Sequence, residues 1–579
     1  MNKPMKMLGA ALFILQSSLL VSCSDWDDHY DANTSLQASQ QSSLWQNIHA
    51  TEDLSQFASL LQQTGYDKVL DASQTFTVWA PVNGTFDYTS LSATDNDRLT
   101  REFIQNHIAR NNYPASGVVD LPVYMLNEKL MNFSGSGSFS IQDIPVGRAN
   151  IASLNGTVHT LEGRIPFMQN IYEALNTDDY ALDSISDYFH SFDVKELNIQ
   201  KSVAGPTLNG EITYLDSVFD EHNDLFQRYS SFIQREDSNY TMIIPTNEAW
   251  IKAKRAIWDM YQYGSFSFAE TVDATAKGNK VTKVTLRDAN QLRDSIVSMM
   301  LLRDLFYNNN IYDNKHLKQL QTGQTLRCDS LMSTTMAKVY SDDAARLFEQ
   351  GHRVDKSNGA VWVTDSLRMR TWTSWNPEIV IEGELVTTQA AVFNGSLQSV
   401  NVSPATQNPD ITGRLSNGRY LEVAPGSASS NPEIDFYLPG VRSTTYNIYA
   451  VFVPANIENA SRPAQPNRMI VTMGYNGEKG DIQEVRFRNE ADNTNYLVSD
   501  PTKIDTLFLG EFTFPIAYYG LSNDKQSYAP YIRFRSGVSS SLINDFDRTL
   551  RIDCLILRPK ELDDFLKSNP GYKYDNGNY

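Results

Sequence analysis

Thr75-Phe76-Thr77-Val78-Trp79-Ala80-Pro81-Val82-Asn83-Gly84-Thr85-Phe86 is the stretch on which the reading of this chain turns. β-Branched and aromatic residues run into a proline and an asparagine, the pattern of a strand that stops at a turn before a helix. Ahead of it, Ser43 to Tyr66 carries Leu44, Ile48, Leu54, Phe57, Leu60 and Leu61 at helical spacing. Helices feeding a β-rich run predict an α+β domain here.

The same residues resemble the first motif of the fasciclin family, a strand reading T-x-F-A-P-T-N-x-A-F. Two further stretches follow in the family's order. Phe103-Ile104-Gln105-Asn106-His107-Ile108 is similar to its central helix motif. Asn155-Gly156-Thr157-Val158-His159-Thr160-Leu161-Glu162-Gly163-Arg164-Ile165 is similar to its closing strand, N-G-x-V-H-x-I-D-x-V-L. Trp79 for Phe and Glu162 for Asp are the departures. The resemblance implies a fasciclin domain over residues 43–168.

A weaker copy follows as an internal repeat. Thr241-Met242-Ile243-Ile244-Pro245-Thr246-Asn247-Glu248-Ala249-Trp250 repeats the first motif, and Met299 to Phe306 stands where the central helix belongs. Ser357-Asn358-Gly359-Ala360-Val361-Trp362-Val363-Thr364-Asp365 repeats the closing strand, with Trp362 in place of the motif histidine. From Pro81 to Asn155 is 74 residues; from Pro245 to Asn358 is 113. The excess predicts an insertion near residues 262–290, where Gly, Ser, Thr and Lys cluster. Residues 169–376 are therefore expected to form a second, divergent fasciclin-like domain.

After Asn376-Pro377 the texture changes. Short β-rich runs, Ile379–Glu384, Tyr446–Val453, Met469–Met473, Ile504–Phe514, Tyr531–Phe534 and Leu550–Leu557, alternate with Gly, Pro, Asn and Ser. That punctuation predicts an all-β sandwich over 377–562. The first and last of these runs resemble the terminal strands of galactose-binding-like jelly rolls, a group that includes many carbohydrate-binding modules. Residues 563–579, whose end is rich in Asn, Gly and Tyr, read as a loose tail. The fold class expected is thus multidomain: two α+β fasciclin-like domains and then a sandwich.

The N-terminus carries Lys3 and Lys6, then an apolar run from Leu8 to Val21. This is the layout of a secretory signal peptide, and its 14 residues fall short of the roughly 20 that span a bilayer. Leu20-Val21-Ser22-Cys23 resembles the bacterial lipobox, which implies cleavage after residue 22 and acylation of Cys23. Ser24-Asp25-Trp26-Asp27-Asp28 resembles an acidic surface-export signal. Residues 23–42 then form a polar tether with a reach of about 25 Å. Together these imply a lipid-anchored protein on the outer membrane, facing the exterior. Six Asp-(Ser/Thr)-aliphatic tripeptides, with Ser184, Ser217, Ser295, Ser330, Ser366 and Thr506 as acceptors, resemble an O-glycosylation signal of exported proteins.

A formal net charge of -19 repels nucleic acid and anionic membrane surfaces. Apart from Cys23, only Cys328 and Cys554 are cysteines, far apart in sequence and read as buried thiols. Zinc-protease, nucleophile-elbow and Walker motifs are all missing. Ser134-Gly135-Ser136-Gly137-Ser138 reads as a flexible loop. His107 and His159 match fasciclin motif positions, where structural hydrogen bonding is favoured over a polar site. Glu382, Glu384 and Asp553 lie on strands that in related jelly rolls hold a structural Ca²⁺; solvated or hydrogen-bonded acids are the alternative. Trp372 and Trp375 are candidates for a glycan-stacking platform or, alternatively, packing at the junction of the second and third domains. Tyr518, Tyr519 and Tyr528 are further stacking candidates.

Surface lipoproteins with fasciclin repeats and a sandwich resemble accessory subunits of SusC/SusD-like uptake complexes, which pair a TonB-dependent barrel with a capture lipoprotein. The function expected is a non-catalytic accessory that binds a polymer, a glycan above all, or docks on the transporter. A free-standing adhesin for protein ligands is the alternative. A hydrolase would require a catalytic pair that the sandwich sequence does not display.

Overall fold

Strand β1 (Phe76–Pro81) is buried at every position, as its unbroken run of apolar and β-branched residues requires of a strand covered on both faces. It pairs antiparallel with Ile108–Arg110 and parallel with β2 (Gly156–Leu161), which pairs in turn with Ile151–Ser153. The computed structural model describes residues 41–176, 180–264, 268–273, 280–284, 289–478, 481–520 and 530–574. The signal segment 1–22, the acylation candidate Cys23, nearly all of the tether, and Tyr528 lie outside the described residues.

One face of the β1–β2 sheet packs on helices Leu44–Ala50 and Ser55–Thr64, whose Leu44, Ile48, Phe57, Leu60 and Leu61 are fully buried with Phe76, Val78 and Ile108. Ser43 and Gln46 close a reciprocal capping box at the first helix. The other face, carrying Trp79 and Leu161, packs on Phe133, Val123 and Ile141. Those come from a small antiparallel sheet of Val118–Tyr124, Leu130–Ser136, Ser138–Ile141 and Ile144–Pro145. Ser134–Ser138 is therefore the turn and flanks of a hairpin rather than a flexible loop. A side chain at Gly135 would meet the Ser138 carbonyl at 2.1 Å, so the glycines serve close backbone approach and not mobility.

The chain divides into two compact units. The first takes residues up to Gln169 together with Asp193–Asn223 and Arg235–Asp237; the second takes Asn170–Phe192, Asp224–Gln234 and everything from Ser238 on. These units do not follow the division expected after residue 168. Two hairpins, Asp193–Leu197 with Phe219–Asn223 and Val203–Leu208 with Glu211–Asp216, belong with the first unit, where Val203 joins the helix core. Glu236 is held there by a buried ion pair with Lys129 at 2.7 Å. The break expected at 376/377 likewise falls inside the second unit.

In the second unit, β3 (Tyr240–Pro245) pairs antiparallel with Phe306–Asn308 and parallel with β4 (Gly359–Thr364), which pairs with His352–Lys356. The register repeats that of the first unit: Phe76 faces Arg110 and Gly156, and Tyr240 faces Asn308 and Gly359. Thr246 caps helix Asn247–Trp258, and helix Ala289–Leu302 takes in only Met299–Leu302 of the expected helical stretch Met299–Phe306, whose end turns into strand Phe306–Asn308. Within the expected insertion, Phe268–Asp273 and Lys280–Val284 form a hairpin; the remaining residues between 265 and 288 lie outside the described residues.

The rest of the chain is a sandwich of two six-stranded antiparallel sheets. One runs Gly395–Asn401, Arg419–Pro425, Leu550–Pro559, Thr445–Phe452, Asp505–Thr513, with β5 (Ile379–Glu382) also on Leu550–Pro559. The other runs Gln389–Phe393, Glu433–Tyr437, Tyr531–Ser536, Arg468–Asn476, Ile482–Arg486, with Leu497–Val498 on Arg468–Asn476. Phe436, Ile448, Phe452, Val471, Phe534 and Ile552 interdigitate between them.

Residues 563–572 are not a loose tail. Lys560–Ser568 is a helix, Leu562 and Asp563 are buried, and Asp563 accepts from Asn447 at 2.6 Å and Arg558 at 3.2 Å. One of its acids, Asp563, meets buried partners rather than water. Among the described residues no helix is long and apolar enough to cross a membrane.

Candidate functional site

The two motif histidines tie the first unit together. His107 Nδ1 donates to the Phe103 carbonyl at 2.7 Å and its Nε2 accepts from the Ile165 amide at 2.9 Å. His159 Nε2 donates to the Tyr113 carbonyl at 2.9 Å and its Nδ1 accepts from the Asn150 amide at 3.2 Å. Both are fully buried, and burial lowers both to about 4, so both are neutral struts. The thiols are free: Cys554 is buried, whereas Cys328 is only half-buried, and burial raises the latter to about 11.

β5 meets Leu550–Pro559 with Glu382 opposite Cys554, and this register gathers the three predicted acids. Ser416 joins two of them: its hydroxyl donates to Glu382 and, at 3.0 Å, to Asp553, whose other oxygen accepts the Ser416 amide at 3.0 Å. Asn417 Nδ2 reaches Glu382 at 3.1 Å. Burial, and then the charges of Glu382 and Glu384, push Asp553 up to about 7. Glu384 Oε2 is buried without a hydrogen-bond partner. The oxygen-only donor set has the chemistry of a Ca²⁺ site, but the arrangement does not fit one. Among the described residues no group of three or more His, Cys, Asp or Glu side chains is placed to hold a metal ion, and Glu382 and Asp553 are already hydrogen-bonded by Ser416 and Asn417.

Trp372 and Trp375 are not an exposed platform; they are 6% and 4% exposed. Trp372 packs on Phe565 at 5.1 Å and donates its indole N–H to Tyr572 at 3.0 Å. Tyr572 in turn donates to Asp343, which Arg370 also meets at 3.1 Å. Trp375 lends its carbonyl to Tyr261. Both indoles pack where the region before residue 376 joins the sandwich, the alternative that the sequence left open.

An open pocket of about 460 Å³ lies at that junction. Arg228, Met299, Arg303, Met336 and Tyr519 line it, with Ser230, Thr334 and Thr335 contributing hydroxyls. Asp304 sits behind it, fully buried, accepting from Ser333 at 2.7 Å and from Thr335 and Ser374. Arg303 also lines a neighbouring pocket of about 150 Å³, with Lys338, Asp343, Trp372 and Tyr572. Tyr519 is held from behind: the Arg442 guanidinium lies 4.3 Å from its ring, and its carbonyl accepts from Tyr263 at 2.7 Å. Of the tyrosines singled out from sequence it is the one on the pocket, since Tyr518 is buried with its hydroxyl on Asn476. Arg228, Arg303 and Met336 went unnoticed in the sequence because they stand on three separate segments with no shared motif.

Residues 52–165 match the family model described as Fasciclin domain, so the N-terminal part of the chain contains a fasciclin domain. The sequence matches no curated protein. The chain is similar to a solved FAS1 domain pair from the insect cell adhesion molecule Fasciclin I (13% identity, 56% of this chain and 98% of that one, TM-score 0.20). It is also similar to a family 35 carbohydrate binding module from Clostridium thermocellum (12% identity, 31% and 96%, TM-score 0.16). A third similarity is to a Paenibacillus xanthan lyase (11% identity, 42% and 19%, TM-score 0.20).

Proposed function

We propose that the protein is a non-catalytic binding lipoprotein of the cell surface, an accessory subunit of a TonB-dependent SusC/SusD-like system that takes up a polymer, a glycan above all. The observation that carries the binding role is the open junction pocket, where two arginines, a tyrosine ring and three hydroxyl-bearing residues line one concave surface. The anchor rests on the lipobox-like Leu20-Val21-Ser22-Cys23, and the fasciclin domain of residues 52–165 supports holding rather than chemistry. Within this reading residues 169–376 are a second, remodelled fasciclin-like domain, supported by the repeated strand register. Confinement to the membrane plane raises effective concentration, so weak contacts suffice.

The alternative, a free-standing adhesin for protein ligands, is favoured by one feature. The hairpins of residues 193–223 expose Ile199, Leu208, Ile212 and Phe219, each more than half accessible, and apolar patches of this kind suit a protein surface.

Electrophoresis of the purified protein through gels containing neutral or acidic polysaccharides, with reducing ends assayed in parallel, tests the proposal. Retardation on at least one polymer with no new reducing ends is expected. Release of reducing ends would make it an enzyme; free migration on every polymer would leave protein as its ligand.

A further inference from the structure

We propose that the junction pocket binds an acidic sugar, a ring bearing a carboxylate or sulfate, with Arg228 and Arg303 on the anion and Tyr519 against the ring face. The proposal rests on the binding role above and names its ligand class.

The charge pattern is the first support. In a chain of net charge -19, this pocket presents two arginines and no acid among its lining residues. Among the described residues Arg228 forms no ion pair; its guanidinium contacts Met299 Sδ at 3.0 Å. Arg303 comes no nearer than 3.9 Å to Asp304, whose oxygens already accept three hydroxyls. A neutral sugar leaves Arg228 without an ionic partner and Arg303 with one only at 3.9 Å, whereas a planar carboxylate or a sulfate matches their fork of donors.

The walls supply the second support. Thr334 and Thr335 line the pocket beside Ser230. Ser230 and Met336 hold left-handed backbone, φ 49° and 70°, which is strained for a methionine and collects at ligand sites. Met336, 59% exposed, lines the same pocket as Tyr519, whose ring lies 4.3 Å from the Arg442 guanidinium. An aromatic face and soft thioethers suit the C–H face of a sugar ring. The volume is that of an ordinary ligand site and accepts one or two sugar rings.

Isothermal titration of the full chain would use tetragalacturonate, a κ-carrageenan tetrasaccharide and neutral galactotetraose as probes, against wild type, Arg228→Gln, Arg228→Glu and Arg303→Gln. Arg228 is exposed, so its variants keep the test alive if Arg303→Gln misfolds. At least one acidic probe should bind about tenfold or more tighter than the neutral one. Arg228→Gln should weaken it about tenfold, and Arg228→Glu further. The two acidic probes separate carboxylate from sulfate. Neutral binding that equals acidic binding and is indifferent to Arg228 would overturn the proposal and leave the binding role standing. Silence of every probe at millimolar concentration would overturn the proposal as well, and the polysaccharide gels then decide the binding role separately.

Discussion

The strand pairs β1–β2 and β3–β4 share one register and differ in what fills it. Where the backbone sets the demand, the residues are the same. Asn155 accepts from the Leu44 amide at 2.8 Å and donates to the Leu70 carbonyl at 2.9 Å; Asn358 accepts from Ile171 at 2.9 Å and donates to Ile233 at 2.6 Å. Gly156 and Gly359 follow at φ 144° and 139°, where a Cβ would meet the carbonyl of Phe76 or Tyr240 at 1.8 or 1.9 Å. Where volume alone is demanded, the residues change together. Trp79 stacks on His159 in the first pair, and Ile243 faces Trp362 in the second. His107 gives way to Leu305 at the same register position, and Trp362 lies so close to Gly351 that a Cβ there would meet its Nε1 at 1.9 Å. Backbone constraints fix residue identity, whereas packing constraints fix only a sum of volumes.

The largest test of that contrast is Gly156→Ala against Gly359→Ala. Each should cost about 4 kcal/mol or more, read as loss of the cooperative transition of its own unit in calorimetry. A mild effect at either site would break the equivalence. Asn155→Ala and Asn358→Ala should follow at about 2–3 kcal/mol each, measured by urea unfolding; a large gap between them would show that only one Asn-Gly turn organises its surroundings.

Acid should separate the two pairs. His107 and His159 have folded values of about 4, below the ordinary value near 6.5. The native state therefore binds fewer protons than the unfolded chain between these values, and stability present above pH 6.5 is lost as pH falls through about 4. The loss is on the order of 2 kcal/mol per histidine. Leu305 and Trp362 have no such response, so hydrogen exchange corrected for intrinsic rates should loosen peptides 76–81 and 156–161 on going from pH 7 to 5 while 240–245 and 359–364 hold. Equal loosening would contradict the account.

An effect of similar size to a single histidine's runs the other way, in the sandwich. Asp553, raised to about 7, favours folding when protonated; that contribution is complete below its ordinary value near 4 and is lost as pH rises through 7. Asp553→Asn should remove this decline, on the order of 2 kcal/mol or more. Millimolar CaCl₂ at pH 8 should leave the wild-type melting temperature unchanged. A rise of several degrees that Asp553→Asn abolishes would make the three acids cation ligands.

The first fasciclin domain was legible because its motifs are the backbone-demanded residues, Pro81, Asn155 and Gly156 among them. The sandwich strands were legible from alternation and punctuation. Less readable were features set by partners distant in sequence. The hairpins of residues 193–223 grouped with the wrong unit, because contiguity suggests a boundary that three-dimensional packing ignores. Trp372 and Trp375 looked like a binding face because nothing local says that Phe565 and Tyr572 cover the first. The helix Lys560–Ser568 looked loose because Asp563 finds its donors on Asn447 and Arg558. The pocket itself was invisible, since Arg228, Arg303, Met336 and Tyr519 come from segments nearly 300 residues apart.

The proposed accessory role meets its most direct test in a gentle-detergent pull-down of the tagged full-length protein from native membranes, with partners identified by mass spectrometry. Co-recovery of a TonB-dependent barrel and its capture lipoprotein is the predicted result. Recovery of the protein alone, under conditions where other such complexes survive, would contradict it and favour the free-standing adhesin.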